Sequence, residues 1–213
     1  MVDFTDQEEE FAEVIPSQPA RPKKITIVVV IAIILAVLYL LGFLSAIPGV
    51  IMQVVSPGGF NFAPESDDPQ FRIQAEMQAN MAEVTRTYFI PMILMALASL
   101  AVGAAMLYSS IQVLRRDQLS DYRLLNNSLI FAIVLVIANT IATVFIQMAN
   151  WEAMNSAITS QDAGPQAEFM KNIMMFSMIV GVGLGVAFEL AKMIYYFIAR
   201  WILGHYMTTL DKS

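Results

Sequence analysis

The chain has 213 residues, of which 57% are hydrophobic and 14% charged, with a formal net charge of −6. Soluble domains carry roughly a quarter charged residues, so an ordinary soluble globule is excluded, and acidity without clustered cations excludes nucleic acid as a partner. With no cysteine in the sequence, disulfide frameworks, zinc–thiolate sites and catalytic thiols are excluded as well.

The apolar residues fall in four blocks, at about 25–55, 89–114, 128–149 and 173–198. Each exceeds the roughly 20 helical residues needed to cross an apolar layer about 30 Å thick. The pattern predicts an all-α integral membrane protein, with four transmembrane helices in an antiparallel bundle.

Residues 1–24 read as an acidic cytoplasmic tail. Thr5 and Glu8 fit a capping box for a short helix, and Pro16, Pro19 and Pro22 make a stiff spacer after it. The apolar run that follows is too long for a cleaved signal peptide. The first span, 25–55, carries Tyr39 near mid-depth and Pro48-Gly49 near its outer end, where a kink or break is expected.

Residues 56–88 form an outer segment. Asp68-Pro69 is a good helix start. After it, Ile73, Met77, Met81, Val84 and Tyr88 recur at helical spacing, predicting an amphipathic outer helix between spans one and two. Pro91 is expected to bend its junction with the second span, 89–114. That span presents Ala98, Ala101 and Ala105 on one side with Gly103 nearby, a helix-packing pattern of small residues. A cytoplasmic loop, 115–127, holds Arg115-Arg116, and Ser120 is a fair cap for the next helix. The third span, 128–149, aligns Asn139, Thr143 and Gln147 as a polar face, which in hydrocarbon turns inward. An outer loop, 150–172, contains Gly164-Pro165, a second helix-start signal.

The fourth span, 173–198, has the most unusual face. Ser177, Gly181, Gly185 and Glu189 recur every four residues, with Lys192 and Tyr196 continuing the line. The upper part is a stripe suited to close helix packing. Glu189 and Lys192, three residues apart, can pair. Counting from the cytoplasmic end places Glu189 in the inner leaflet, with Tyr108, Ser109 and Ser128 expected within a turn or two of that level. An intramembrane carboxylate often marks an ion path, but further ionisable groups at intermediate depth are lacking, so a structural ion pair is the simpler reading. The tail, 199–213, contains the sole histidine, His205.

Lys and Arg placement sets the orientation. With the N-terminus inside, the cytoplasmic segments hold Arg21, Lys23, Lys24, Arg115, Arg116, Arg123, Arg200 and Lys212, and the outer ones only Arg72, Arg86 and Lys171. Both termini are therefore expected in the cytoplasm. The predicted outer segments contain no Asn-x-Ser/Thr acceptor, which fits a multi-pass protein of a bacterial inner (plasma) membrane.

No nucleophile–base set, metal-binding motif or nucleotide loop occurs in the chain. No catalytic residue, metal or cofactor is expected, and the chain is read as not an enzyme. The leading expectation is an interaction or assembly subunit of a membrane complex, contacting lipid and either other membrane chains or a second copy of itself through its small-residue faces. The alternative is a transporter or channel component using Glu189. A third reading takes the methionines of the outer half, Met170, Met174 and Met178 among them, as an outward-facing copper site. Adaptable packing explains those thioethers equally well.

Overall fold

A computed structural model describes residues 21–55, 69–159 and 165–212 of the chain. Residues 1–20 of the acidic tail, with the Thr5–Glu8 capping box, and the turn-rich segment after the first span lie outside these residues. The described residues form four helices: α1 (Lys23–Val55), α2 (Pro69–Arg116), α3 (Leu119–Thr159) and α4 (Pro165–Leu210). All four are long and apolar enough to cross a membrane. Large apolar side chains stand fully out from the bundle, among them Phe131, Phe176 and Trp201, the last 76% exposed. In water such a surface would be prohibitive; in hydrocarbon it costs nothing.

The helices run further than the hydropathy blocks. α1 passes through Pro48 without the expected break and continues to Val55. A proline removes one hydrogen bond from the ladder, and one missing bond is not enough to end a helix otherwise rich in apolar residues. The amphipathic outer helix is likewise no separate element. α2 is continuous from Pro69 through Pro91 to Arg116. Its first turns pack on the end of α3: Met77 is buried with Ala157 and Ile158, next to Met154 and Met174. Asn80 Nδ2 donates to the Ala153 carbonyl at 3.1 Å and to Ser156 Oγ at 3.2 Å.

Between α2 and α3 only Asp117 and Gln118 are non-helical. Ser120 therefore lies inside α3 and does not cap it. The Gln118 carbonyl instead accepts from the amides of Asp121 and Tyr122. Asp117 adopts φ 53°, the left-handed conformation that commonly ends a helix. Its carboxylate is held from two sides, by the Tyr122 hydroxyl and by Arg21 Nε at 3.2 Å. Arg21 Nη2 also donates to the Val113 carbonyl at 2.6 Å, so a cation from the start of α1 satisfies the C-terminal end of α2.

Packing is unequal along the bundle. One compact core joins the first half of α1, the second half of α2, the first half of α3 and the second half of α4, through Val29, Ala36, Met106, Leu125, Leu129 and Leu203 among others. At this end Gly103 brings α2 hard against α1. Towards the other end α4 parts from α1. Their meeting is confined to a short stretch near Tyr195 and Tyr196, whose hydroxyls donate to the Val28 carbonyl (2.6 Å) and to Tyr39 Oη (3.2 Å). No residue in the most apolar stretch of α4 is buried.

Candidate functional site: a polar cavity above a sealed core

The site begins where the core ends. Tyr39 of α1 and Tyr196 of α4 close over the packed end. Directly beside them, Lys192 Nζ lies 2.6 Å from Glu189 Oε1 and 5.1 Å from the ring centres of both Tyr39 and Phe188. The i,i+3 spacing puts the two charges on one face of α4, and the aromatic faces give the ammonium a second favourable surface. Side-chain exposures of 16% for Glu189 and 11% for Lys192 make this a largely enclosed pair, which favours holding both charges together.

Asn139 of α3 joins the pair, its Nδ2 donating to Glu189 Oε1 at 3.5 Å. Glu189 Oε2 is enclosed and carries no hydrogen bond among the described residues. Above this floor rises a cavity of about 380 Å³. Its walls come from Leu38 and Phe43 of α1, Met92 and Met95 of α2, and Thr143 and Ile146 of α3, while α4 contributes only Glu189 and Lys192. The fourth side of the upper cavity is therefore open, because α4 has already left α1.

The neighbours of Glu189 differ from those expected from the sequence. Arg200 Nε pairs with Asn126 Oδ1 at 3.3 Å near the sealed end. At about 1.5 Å per residue, Glu189 stands about 16 Å beyond that level along α4. Its companions are accordingly Tyr39, Asn139 and Thr143. Tyr108 is turned outward, 58% exposed, and Ser109 and Ser128 are buried with their hydroxyls donating to Ala105 and Leu124 carbonyls of their own helices. The shift arises because the α2–α3 turn is only two residues long, so α3 begins well before residue 128 and Asn139 is carried up to the level of Glu189.

The small-residue faces divide differently from the sequence pattern. Ser177, Gly181 and Gly185 are exposed, and a Cβ built on Gly181 or Gly185 meets nothing within 4 Å. Within the described chain, then, the α4 stripe packs on nothing. On α2, Ala101 and Ala105 are exposed and Ala98 is half-buried, whereas Gly103 makes the close approach. Spacing alone could not choose between these two faces of α2, since both read small-and-apolar. Gln147 is half-buried one turn beyond Thr143, on the same side of α3.

Met170 and Met52 lie outside the described side chains, and the described methionines do not form one outer surface. Met77 is packed with Met154 and Met174, Met92 and Met95 border the cavity, and Met81, Met148 and Met175 are exposed. Among the described residues no three His, Cys, Asp or Glu side chains converge to hold a metal. No protein-family model, curated protein or solved structure matches the chain.

Proposed function

We propose that the chain is a multi-pass protein of a bacterial inner membrane, an antiparallel bundle with both termini in the cytoplasm, acting without catalysis as an assembly subunit. Its docking face is the outer half of α4, and the occupant is a transmembrane helix of another membrane chain or of a second copy. One observation carries this reading. Gly181 precedes Ala199, and Gly185 precedes Leu203, by about five full turns at 3.6 residues per turn. Each pair therefore faces the same way. Ala199 and Leu203 are fully buried, yet the space over Gly181 and Gly185 is open. The face that α4 buries against its own chain at one end is thus free at the other, and there it carries the small residues that let helix backbones approach closely.

The test is native mass spectrometry of the chain extracted from its own membrane in mild detergent. A stoichiometric complex is expected, homomeric or with one partner chain. It is lost in Gly185→Leu and kept in Phe176→Leu, a change on an exposed apolar position. A strictly monomeric particle overturns the reading.

One observation favours a second reading, a transporter or channel component. The cavity reaches Glu189 from one side of the bundle. The core beneath, from Tyr196 to Leu203, is tightly packed, so a passage would require that end to open. Unchanged proton or cation flux in liposomes with Glu189→Gln removes this reading.

A further inference from the structure

We propose that the cavity above Glu189 and Lys192 is a binding site for a neutral amphiphile with a hydroxyl head and an apolar body. Its volume of about 380 Å³ lies at the lower end of the roughly 300–1,000 Å³ typical of small-ligand pockets. Like such pockets it combines apolar walls with a few polar groups gathered at one end.

The hydrogen bonds at the floor define the head group. Lys192 Nζ and Asn139 Nδ2 both donate to Glu189 Oε1, and the Ser99 hydroxyl donates to the Met95 carbonyl. Only the Ser99 donor is used up; Lys192 Nζ keeps two further N–H groups and Asn139 Nδ2 one. Accepting capacity remains: Glu189 Oε2 has no hydrogen bond among the described residues, and the Ser99 oxygen retains a lone pair. Oε2 is enclosed, so a ligand reaches it when the broad terminal torsion of the glutamate turns and the Lys192 ammonium, with three N–H groups, follows the carboxylate. The floor therefore offers both acceptors and donors, and suits a group that both donates and accepts a hydrogen bond, as a hydroxyl does.

Charge then selects among donors. Glu189 already holds its counter-ion at 2.6 Å, and the pair is neutral as a unit. A second cation would be drawn to Glu189 but would meet Lys192 in the same enclosed, weakly screened space, and it would have to leave water to get there. A hydroxyl satisfies the oxygen without that opposition. The body of the ligand lies along Leu38, Phe43, Met92 and Met95, where the two thioethers adapt to a range of shapes. The sealed core blocks exit past Tyr39 and Tyr196, so a molecule enters from the surrounding apolar phase on the side left open by α4, before a docked helix covers Gly181 and Gly185.

The experiment uses the full chain in lipid nanodiscs and a photoreactive 1-decanol bearing a diazirine on its chain. Adducts are expected on Phe43, Met92 or Met95, reduced at least tenfold by excess unlabelled 1-decanol and little changed by decane or decylamine. Ala142→Trp and, separately, Ala96→Phe fill the cavity without touching the charged pair; each should abolish the adduct, and the variant that keeps the parent thermal transition is the one scored. Glu189→Leu combined with Lys192→Met removes both charges together and should erase the preference for decanol over a diazirine-bearing decane. Three results overturn the proposal: no saturable adduct, equal labelling by the alcohol and the hydrocarbon in the unaltered chain, or stronger displacement by decylamine than by decanol.

Discussion

Gly103 and Tyr39 bring α2 and α1 so close that no side chain fits between them. A Cβ on Gly103 would stand 2.9 Å from the Tyr39 Cβ and 3.2 Å from the Ala36 carbonyl oxygen. Neither atom yields easily, since one is the root of a side chain and the other is backbone. Gly103→Val is therefore expected to destabilise the chain by about 1–3 kcal/mol through overpacking. Gly185→Ala, which meets open space, should leave the thermal transition in detergent unchanged or raise it slightly. Equal losses in the two variants would show that the faces of α2 and α4 are assigned wrongly.

The Glu189–Lys192 pair yields a second expectation. Lys192→Met strands a carboxylate in an enclosed site and should cost about 3–5 kcal/mol. Removing both charges, with Glu189→Leu and Lys192→Met together, should cost less than Lys192→Met alone. A double-mutant cycle on thermal or denaturant unfolding measures the coupling. Strict additivity would mean that the two side chains do not depend on each other.

At the sealed end, Arg21 joins the start of α1 to the end of α2 and to the α2–α3 turn. Arg21→Ala should lose about 1–2 kcal/mol, because two carbonyl-end groups and Asp117 give up a cation. Hydrogen exchange should quicken at the amides of Asp121 and Tyr122 and stay unchanged around Asn80, at the far end of α2. A uniform increase along the chain would count against a local latch.

Asp117 combines that contact with a positive φ. Asp117→Asn keeps a residue type that tolerates the left-handed region and loses only the charge. Asp117→Val places a β-branched side chain in that region and loses both partners as well. The valine variant should be the less stable by at least about 1 kcal/mol, read as a lower denaturation midpoint. The reverse order would dissociate the turn from its backbone conformation.

The orientation can be read directly, since the chain has no cysteine of its own. In intact cells, Glu152→Cys should react with a membrane-impermeant maleimide and Lys212→Cys should react only after lysis. Labelling of both from outside would contradict cytoplasmic termini.

Several features were legible before any coordinates. Length and hydropathy mark the four helices, and Pro165 marks the start of α4. Asn139, Thr143, Glu189 and Lys192 could be identified as inward-facing because a polar side chain in hydrocarbon needs a partner, and the structure brings them to one cavity. The continuity of α2 through Pro91 was not legible, because proline signals a break whether or not neighbouring turns hold the helix together.

The sequence by itself determined that the described residues form four apolar helices of membrane-crossing length. Only the tertiary structure decided that Gly103 and not Ala101 or Ala105 makes the close approach, that Gly181 and Gly185 are left open, and that Glu189 lies with Tyr39 and Asn139 at the floor of a cavity. The physical reason is the solvent. In water an inward face announces itself by being apolar, but lipid is as apolar as a core of leucines, so hydropathy does not distinguish a helix face that packs from one that does not. Where α4 separates from α1, that ambiguity becomes the open half of the bundle.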